Sequence, residues 1–228
     1  MGKAIQEIAL QRGHEIVLTI DVDNASDLNA GNMATVDVAI EFTGPQSAFG
    51  NVMKCLEFDT PVVCGSTGWL ARWKEVEAYC KEKNRALVYA SNYSVGVNIF
   101  FEINKKLAEM MSAHSEYDVS LEEIHHTQKR DAPSGTAVSL AEQVLEKITR
   151  KNLWVNQQTH DPKELEIISK RIDPAAGTHS VRYQSAVDDI EIIHTAHNRT
   201  GFATGAVLAA EFIIGKKGIF GMKEVLGF

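Results

Sequence analysis

The apolar positions in the first half of the chain alternate between helical and strand-like spacing. Residues 3–12 have apolar side chains at helical spacing and end before Gly13, and residues 15–20 form a short β-branched and apolar run. The same alternation predicts strands at 36–42, 61–64 and 86–90, with helices at 47–57 and 69–83. Buried strands separated by helices predict a parallel sheet covered on both faces.

The pattern changes near Tyr93, where we place a domain boundary. An apolar helix is predicted at 94–111, and the residues that follow mix strands with one further helix. The predicted strands are 117–124, 165–171, 181–183 and 190–196, and the predicted helices are 136–148 and 202–215. This order predicts an α/β chain with a second, α+β region.

Two glycine-containing loops directly follow predicted strands of the first half. Thr43-Gly44-Pro45 follows the strand at 36–42, and Gly65-Ser66-Thr67-Gly68 follows the strand at 61–64. Ligands of parallel α/β sheets bind at the carboxyl ends of the strands, where glycine lets a ligand approach the backbone. A plain tight turn explains the second loop equally well.

Asp21 closes the apolar run at 15–20. It stands about twenty residues after Gly2, the separation at which a dinucleotide fold places an acid for the ribose hydroxyls. No lysine or arginine stands close enough in sequence to bind a 2′-phosphate, so we expect NADH to be preferred over NADPH, with NADPH possible.

Residues 122–137 concentrate the candidate chemistry. His125, His126 and Lys129 precede Ser134, a favourable N-cap for the next predicted helix. The first amides of that helix and the positive end of its dipole attract carboxylate or phosphate, and Lys129 adds a mobile cation. The stretch therefore predicts a site for a small dianion. A surface histidine pair beside a lysine and an ordinary capped helix is the competing interpretation of these residues alone.

Taken together, the string His125-His126-x-x-Lys129-x-Asp131-Ala132-Pro133-Ser134-Gly135-Thr136-Ala137 closely resembles the signature of dihydrodipicolinate reductases. These enzymes reduce a cyclic dicarboxylate with a nicotinamide cofactor during bacterial diaminopimelate and lysine synthesis. Other segments resemble the family in family order, so the resemblance covers nearly the whole chain. They are Glu41 to Pro45, Gly65 to Trp69, Ser91 to Asn98 and Arg199 to Ala206.

The resemblance implies a role for each matching residue. His125 would be the general acid and Lys129 its partner. The substrate carboxylates would be bound by His126, Lys129, Ser134, Gly135 and Thr136. The cofactor would be bordered by Gly2, Asp21, Thr43, Gly65, Ser66, Thr67, Gly68, Asn92, Tyr93, Arg199 and Phe202.

The resemblance also implies an architecture. Residues 1–93 and 200–228 would form a Rossmann-like dinucleotide-binding domain. Residues 94–199 would form the substrate-binding and tetramerisation domain, an open mixed sheet whose exposed strands pair between subunits of a homotetramer. The expected location is the cytoplasm. Asp173 stands where a glycine is usual in the family, so we expect the loop before His179 to take its own path and His179 to be structural.

The beginning of the chain departs from the family. Met1-Gly2-Lys3 resembles only the last glycine of a G-x-G-x-x-G motif, without the strand that precedes it. That strand is central in a sheet ordered 3-2-1-4-5-6, so its loss should open a slot in the sheet. We expect a physiological protein longer by roughly a dozen residues, and weaker NADH binding by this chain than by one carrying the segment, as calorimetry would measure.

Composition excludes several other classes of protein. The chain has 228 residues, 44% of them hydrophobic, and its net charge of −7 comes with no basic stripe for nucleic acid. No apolar run is long enough to span a bilayer. Three cysteines without C-x-x-C spacing predict reduced thiols, and we expect no metal site, since the His194 and His197 pair lies in a strand pattern.

Two alternative functions remain open from the sequence alone. One is another NAD-dependent dehydrogenase of an amino or keto acid, which should lack the His-His-x-x-Lys pairing. The other is a regulatory protein that binds a dicarboxylate with impaired cofactor binding. Titration with NADH and a pyridine dicarboxylate separates the reductase, which should bind both, from the regulator, which should bind only the dicarboxylate.

Overall fold

The computed structural model describes residues 1–228, and the chain divides into two compact units. One unit comprises Met1–Val95 and Thr200–Phe228, and the other comprises Gly96–Arg199. In chain order, the elements are α1 (Gly2–Gln11), α2 (Ala30–Met33), β1 (Ala39–Glu41), α3 (Ala48–Glu57), β2 (Val62–Cys64), α4 (Trp73–Lys83), β3 (Ala86–Tyr89), α5 (Val95–Met111), β4 (Asp118–His125), α6 (Gly135–Lys147), β5 (Leu153–Val155), β6 (Glu164–Arg171), β7 (Gly177–Gln184), β8 (Asp189–Ala196), α7 (Thr200–Ile213), β9 (Gly218–Phe220) and α8 (Met222–Leu226).

The first unit is built on a four-stranded sheet in the order β1-β2-β3-β9, in which every pair is parallel. Side chains alternate between the faces of the strands, so Val63 and Val88 join a core with α1 and α7, whereas Val62 and Leu87 join a core with α3 and α4. Helices therefore cover both faces, and the predicted parallel-sheet fold is confirmed.

The strand predicted at residues 15–20 is wrong. This segment belongs to neither sheet and is largely exposed, with Val17 at 50%. It lies across a cavity of about 300 Å³ from β1, with Ile16 and Leu18 on one side and Ile40 on the other. A strand is defined by hydrogen bonds to a neighbouring strand, and no strand lies alongside this run to accept them. Its β-branched composition alone does not make it part of the sheet.

The second unit contains a five-stranded mixed sheet in the order β5-β6-β4-β7-β8. Strands β5, β6 and β4 are parallel, whereas β4, β7 and β8 pair antiparallel. The alternating burial of β4 places Val119, Leu121, Glu123 and His125 on one buried face. There α6 packs its apolar stripe, which includes Leu140 and Val144, against the sheet. This is the predicted open mixed sheet.

Candidate functional site

The end of β4 and the start of α6 are joined by a nine-residue loop, residues 126–134. His125 is the last residue of the strand, and Ser134 caps the helix because its Oγ accepts a hydrogen bond of 3.2 Å from the Ala137 amide. The first amides of a helix have no partner within it. Gly135 is exposed, and a Cβ there would meet nothing within 4 Å apart from its own helix and neighbouring residues, so there is room for a ligand beside it.

Glu123 links the end of β4 to the start of α6, and this residue was not predicted from the sequence. The Ser134 amide donates to both of its carboxylate oxygens, at 3.1 and 3.0 Å, and Arg171 Nη2 lies 3.2 Å from Oε1. His125 Nδ1 lies 3.4 Å from Oε2. Glu123 and His125 are two residues apart on one strand, which puts both side chains on the same face. This spacing is the sequence signal from which their contact could have been predicted.

His179 completes the buried cluster from β7. Its Nε2 lies 3.1 Å from Ser134 Oγ and 3.7 Å from Glu123 Oε2. Its ring meets that of His125 edge to face, with centroids 5.0 Å apart. Position 179 is paired directly with Glu123 across the antiparallel strands, so the contact follows from the sheet register.

Burial and neighbouring charges shift the pKa values of all three residues. Burial lowers the pKa of His125, where Lys129 and Arg171 act in the same direction and Glu123 opposes them. Burial raises the pKa of Glu123, but hydrogen bonds from Ser134 and the charge of His125 outweigh it and leave this pKa below its usual value. Lys129 therefore contributes to the lowered pKa of His125, although burial is the larger cause.

Burial, followed by the neighbouring His125, lowers the pKa of His179 to about 4. The unfolded chain takes up a proton near pH 6.5 and the folded chain only near pH 4, so stability should fall as pH drops through this window, by about 3 kcal/mol. We expect His179→Gln to flatten that slope in denaturant unfolding between pH 7.5 and 4.5. The exposed His160→Gln is the control, and an unchanged slope in His179→Gln would contradict the prediction.

The remaining predicted substrate residues lie in or beside the loop. Lys129 Nζ is 2.8 Å from both carboxylate oxygens of Asp131, so its ammonium is held at the loop by a neighbouring acid. His126 lies just beyond the strand and accepts the Lys129 amide at its carbonyl. Asp173 fixes the same loop from the β6–β7 connection, accepting hydrogen bonds from Thr127 N and Oγ1 at 3.1 and 2.6 Å.

In the first unit, the predicted cofactor residues of three loops meet at the carboxyl edge of the parallel sheet. The Thr43 amide donates to Ser66 Oγ at 2.8 Å. Gly68 has a φ of +82°, and a Cβ there would lie 2.9 Å from Pro45 Cβ, so only glycine allows these two loops to approach so closely. Thr67 and Gly68 are exposed at this edge.

Tyr93 holds the third loop in place. Its side chain is 1% exposed, and its hydroxyl donates to the carbonyls of Cys64 and Val88 at 2.9 and 3.1 Å. Asn92, immediately before it, accepts the Ser94 amide at 2.9 Å. The loop after β3 is therefore tied to β2 through a buried tyrosine, and its backbone reaches the same edge as the other two loops.

The other predicted cofactor residues are more scattered. Gly2 begins α1 and is exposed. Asp21 is also exposed and caps a short 3-10 turn, where its side chain accepts the Val22 amide at 2.7 Å. Phe202 lies in α7, and Arg199 is the last residue of the second unit.

Glu123, His125 and His179 also place three possible metal-ligating atoms within 4.8 Å of one another. The carboxylate oxygens already accept hydrogen bonds from the Ser134 amide and Arg171. The positive charges of Arg171 and Lys129 act on His125 and oppose a bound cation. We therefore interpret the cluster as a network of titratable side chains and not as a metal site.

The fold and this arrangement define a class of protein, an α/β protein with a parallel-sheet unit and a mixed-sheet unit that contains a buried glutamate-histidine cluster. The family model described as "Dihydrodipicolinate reductase, N-terminus" matches residues 1–93, and the one described as "Dihydrodipicolinate reductase, C-terminus" matches residues 96–226. This chain belongs to the dihydrodipicolinate reductase family. The predicted family and class of enzyme are confirmed.

Two relatives named as reductases align with this chain over most of their length. A 4-hydroxy-tetrahydrodipicolinate reductase of Christiangramia forsetii is 48% identical over 227 residues, which cover 99% of this chain and 93% of the relative. One from Methanosarcina mazei is 36% identical over 100% of this chain and 86% of its own.

Solved structures support the fold. A dipicolinate-bound dihydrodipicolinate reductase from Paenisporosarcina sp. TG-14 aligns with a TM-score of 0.78 at 20% identity, covering 98% of this chain and 94% of its own. An amine dehydrogenase from Mycobacterium smegmatis aligns with a TM-score of 0.58 at 13% identity, covering 96% and 91%. At these identities, the likeness concerns the fold.

Proposed function

We propose that this chain reduces the dihydrodipicolinate ring, derived from 4-hydroxy-tetrahydrodipicolinate, to tetrahydrodipicolinate in diaminopimelate and lysine synthesis. The supporting observation is that one buried carboxylate, Glu123, contacts both His125 and the capped start of α6. A candidate proton donor and a candidate anion-binding helix start are thereby held together. The names of the relatives supply the substrate.

Binding of the two substrate carboxylates is assigned to Ser134, Gly135, Thr136, Lys129 and His126. The helix start offers amides and the positive end of a dipole to one carboxylate. Lys129, now paired with Asp131, would exchange that partner for the second carboxylate, because an ammonium on a flexible stem can reorient at little cost.

A reduced nicotinamide, when bound, supplies the hydride. The residues of this chain supply the proton that must reach a ring carbon, and His125 is the group we assign to deliver it. Burial lowers its pKa, and the cations Lys129 and Arg171 lower it further, so two incoming carboxylates would raise it. Substrate binding would thereby load the proton.

The carboxyl edge of the first unit fits a dinucleotide, because the close packing of Gly68 against Pro45 brings two loops together with backbone exposed. Thr43, the Gly65 to Gly68 turn and the Asn92 loop would hold it. Asp21 supports a preference for NADH, since its exposed carboxylate would bind ribose hydroxyls and repel a 2′-phosphate.

We further propose a cytoplasmic homotetramer that pairs through the mixed sheet. Strand β8 lies at its edge and exposes Ile190 at 39% and Ile193 at 59%. Unpaired, apolar edges favour association. The three cysteines are free and buried, as expected of a reducing compartment. No helix is long and apolar enough to cross a bilayer.

Titration calorimetry with NADH and with dipicolinate tests the proposal, together with NADH oxidation in the presence of the substrate. We expect binding of both ligands, and we expect Lys129→Met to weaken dipicolinate binding roughly 10-fold or more while NADH affinity is unchanged, because one charged contact is lost. Lys170→Met, which removes a cation paired with Glu122 elsewhere on the sheet, is the matched control. Binding of dipicolinate but not of NADH would instead identify a dicarboxylate-binding regulator.

A further inference from the structure

Glu123, a fully buried acid in the second unit, neither binds the substrate nor delivers a proton in the proposed reaction. Glu123 is 0% exposed, and a carboxylate with a lowered pKa at such a depth requires compensating partners. Arg171 and the Ser134 amide provide part of that compensation. An apolar residue would pack under α6 without these requirements, so the retained charge indicates a task beyond packing.

The geometry around His125 indicates that the Glu123 carboxylate acts on this histidine. His125 Nδ1 is buried and has no hydrogen-bond partner, and Glu123 Oε2 is 3.4 Å away, at ion-pair distance. On the opposite side of the ring, a Cβ at position 177 would lie 3.1 Å from Nε2. Gly177 therefore leaves room beside Nε2 that any side chain would occupy.

We propose that Glu123 is a positioning residue, whose carboxylate orients the His125 imidazole through Nδ1 and leaves Nε2 as the atom that delivers the proton. This rests on the proposed function, in which His125 is the acid. The same carboxylate accepts the Ser134 amide, so it also fixes the imidazole relative to the helix start that is proposed to bind the substrate carboxylates. One buried group would set both the direction of the acid and its distance from the bound anion.

Several charged groups act on His125, and they come from every element packed around it. Glu123 belongs to β4, Lys129 and Asp131 to the following loop and Arg171 to β6. The titratable ring of His179, on β7, packs edge to face against His125. Lys129 and Arg171 disfavour the imidazolium, whereas Glu123 is the stronger of the two acids that favour it. Removal of the Glu123 charge should therefore lower the pKa of His125 and reduce the protonated fraction near neutral pH.

The test is Glu123→Gln, which preserves size and an acceptor for Ser134, compared with Glu122→Gln. Glu122 neighbours it on β4 but faces the other side of the sheet, where it pairs with Lys170. We expect NMR titration of the His125 ring to show a lower pKa in Glu123→Gln than in the unchanged protein, because the charge that favours the imidazolium is removed. The falling limb of turnover against pH should move to lower pH by the same amount. Glu122→Gln should change neither.

Two further variants keep the proposal falsifiable. Glu123→Asp retains the charge but moves it one methylene farther from His125, so the pKa of His125 should lie between its values in the unchanged protein and in Glu123→Gln. This variant provides the test if Glu123→Gln fails to fold. In a His125→Gln background, Glu123→Gln should cost no additional turnover. An unchanged His125 pKa in the folded glutamine variant would overturn the positioning role. Full turnover of His125→Gln would refute the acid assignment instead, and the NMR titration would still report on Glu123.

Discussion

Replacement of His125 by glutamine is expected to lower kcat by roughly 100- to 10,000-fold, the usual contribution of a positioned general acid. Glutamine occupies similar space on the buried face of β4, but it cannot donate a proton to carbon at neutral pH. Since hydride transfer and substrate binding use other groups, KM should change little. The measurement is steady-state NADH oxidation, with dipicolinate affinity and thermal unfolding followed on the same sample.

The adjacent histidine provides the comparison. His126 lies beyond the end of β4 and is assigned to substrate binding, so His126→Gln should raise KM more than it lowers kcat. This contrast separates chemistry from binding at neighbouring positions. Wild-type turnover in His125→Gln would remove that residue from the mechanism, and equal losses of kcat in the two variants would contradict the division of roles.

The long periodic elements could be predicted from sequence because each buries one continuous face. The helix predicted at 136–148 is α6, at Gly135–Lys147, and the strand predicted at 117–124 is β4, at Asp118–His125. Ser134 could also be predicted as an N-cap, because capping depends on residues within one turn. Such local signals located the loop that contains His125 and Lys129.

Features that depend on distant partners could not be predicted in this way. Strands β5 and β9 are three residues long and exist through pairing with β6 and β3, so their own composition contains no clear signal. Residues 15–20 show the converse, an apolar run that forms no strand without a neighbour. The contact of Glu123 with His179 follows from the β4–β7 register, which joins residues more than fifty positions apart.

The family resemblance supplied roles that periodicity could not, and it also directed attention to residues that match a known motif. Glu123 lies just before that motif, and its importance became visible only through its contacts with His125, Ser134 and Arg171. The two-residue spacing of Glu123 and His125 indicates that they share a face of the strand, but a single sequence does not show which atoms of these side chains come into contact. The role of Glu123 is defined by the geometry that surrounds it.

The largest effect on stability is expected from Gly205→Ala in α7. A Cβ at this position would lie 1.7 Å from the Tyr93 carbonyl oxygen and 2.8 Å from its carbon, so the helix and the loop after β3 would have to separate. The loop cannot move easily, because the buried Tyr93 hydroxyl donates to Cys64 and Val88. We expect a loss of at least about 3 kcal/mol and a fall in Tm of roughly 6 to 12 °C.

Gly201 in the same helix is the matched control. A Cβ there would lie 3.5 Å from Ser94 Oγ, which is ordinary van der Waals contact, and alanine is the better helix former. Gly201→Ala should therefore leave Tm unchanged or raise it slightly. Gly205→Ala should also weaken NADH binding, because the displaced loop contains Asn92, whereas dipicolinate binding in the second unit should persist. Equal stability of the two variants in thermal unfolding would show that α7 does not depend on this close approach.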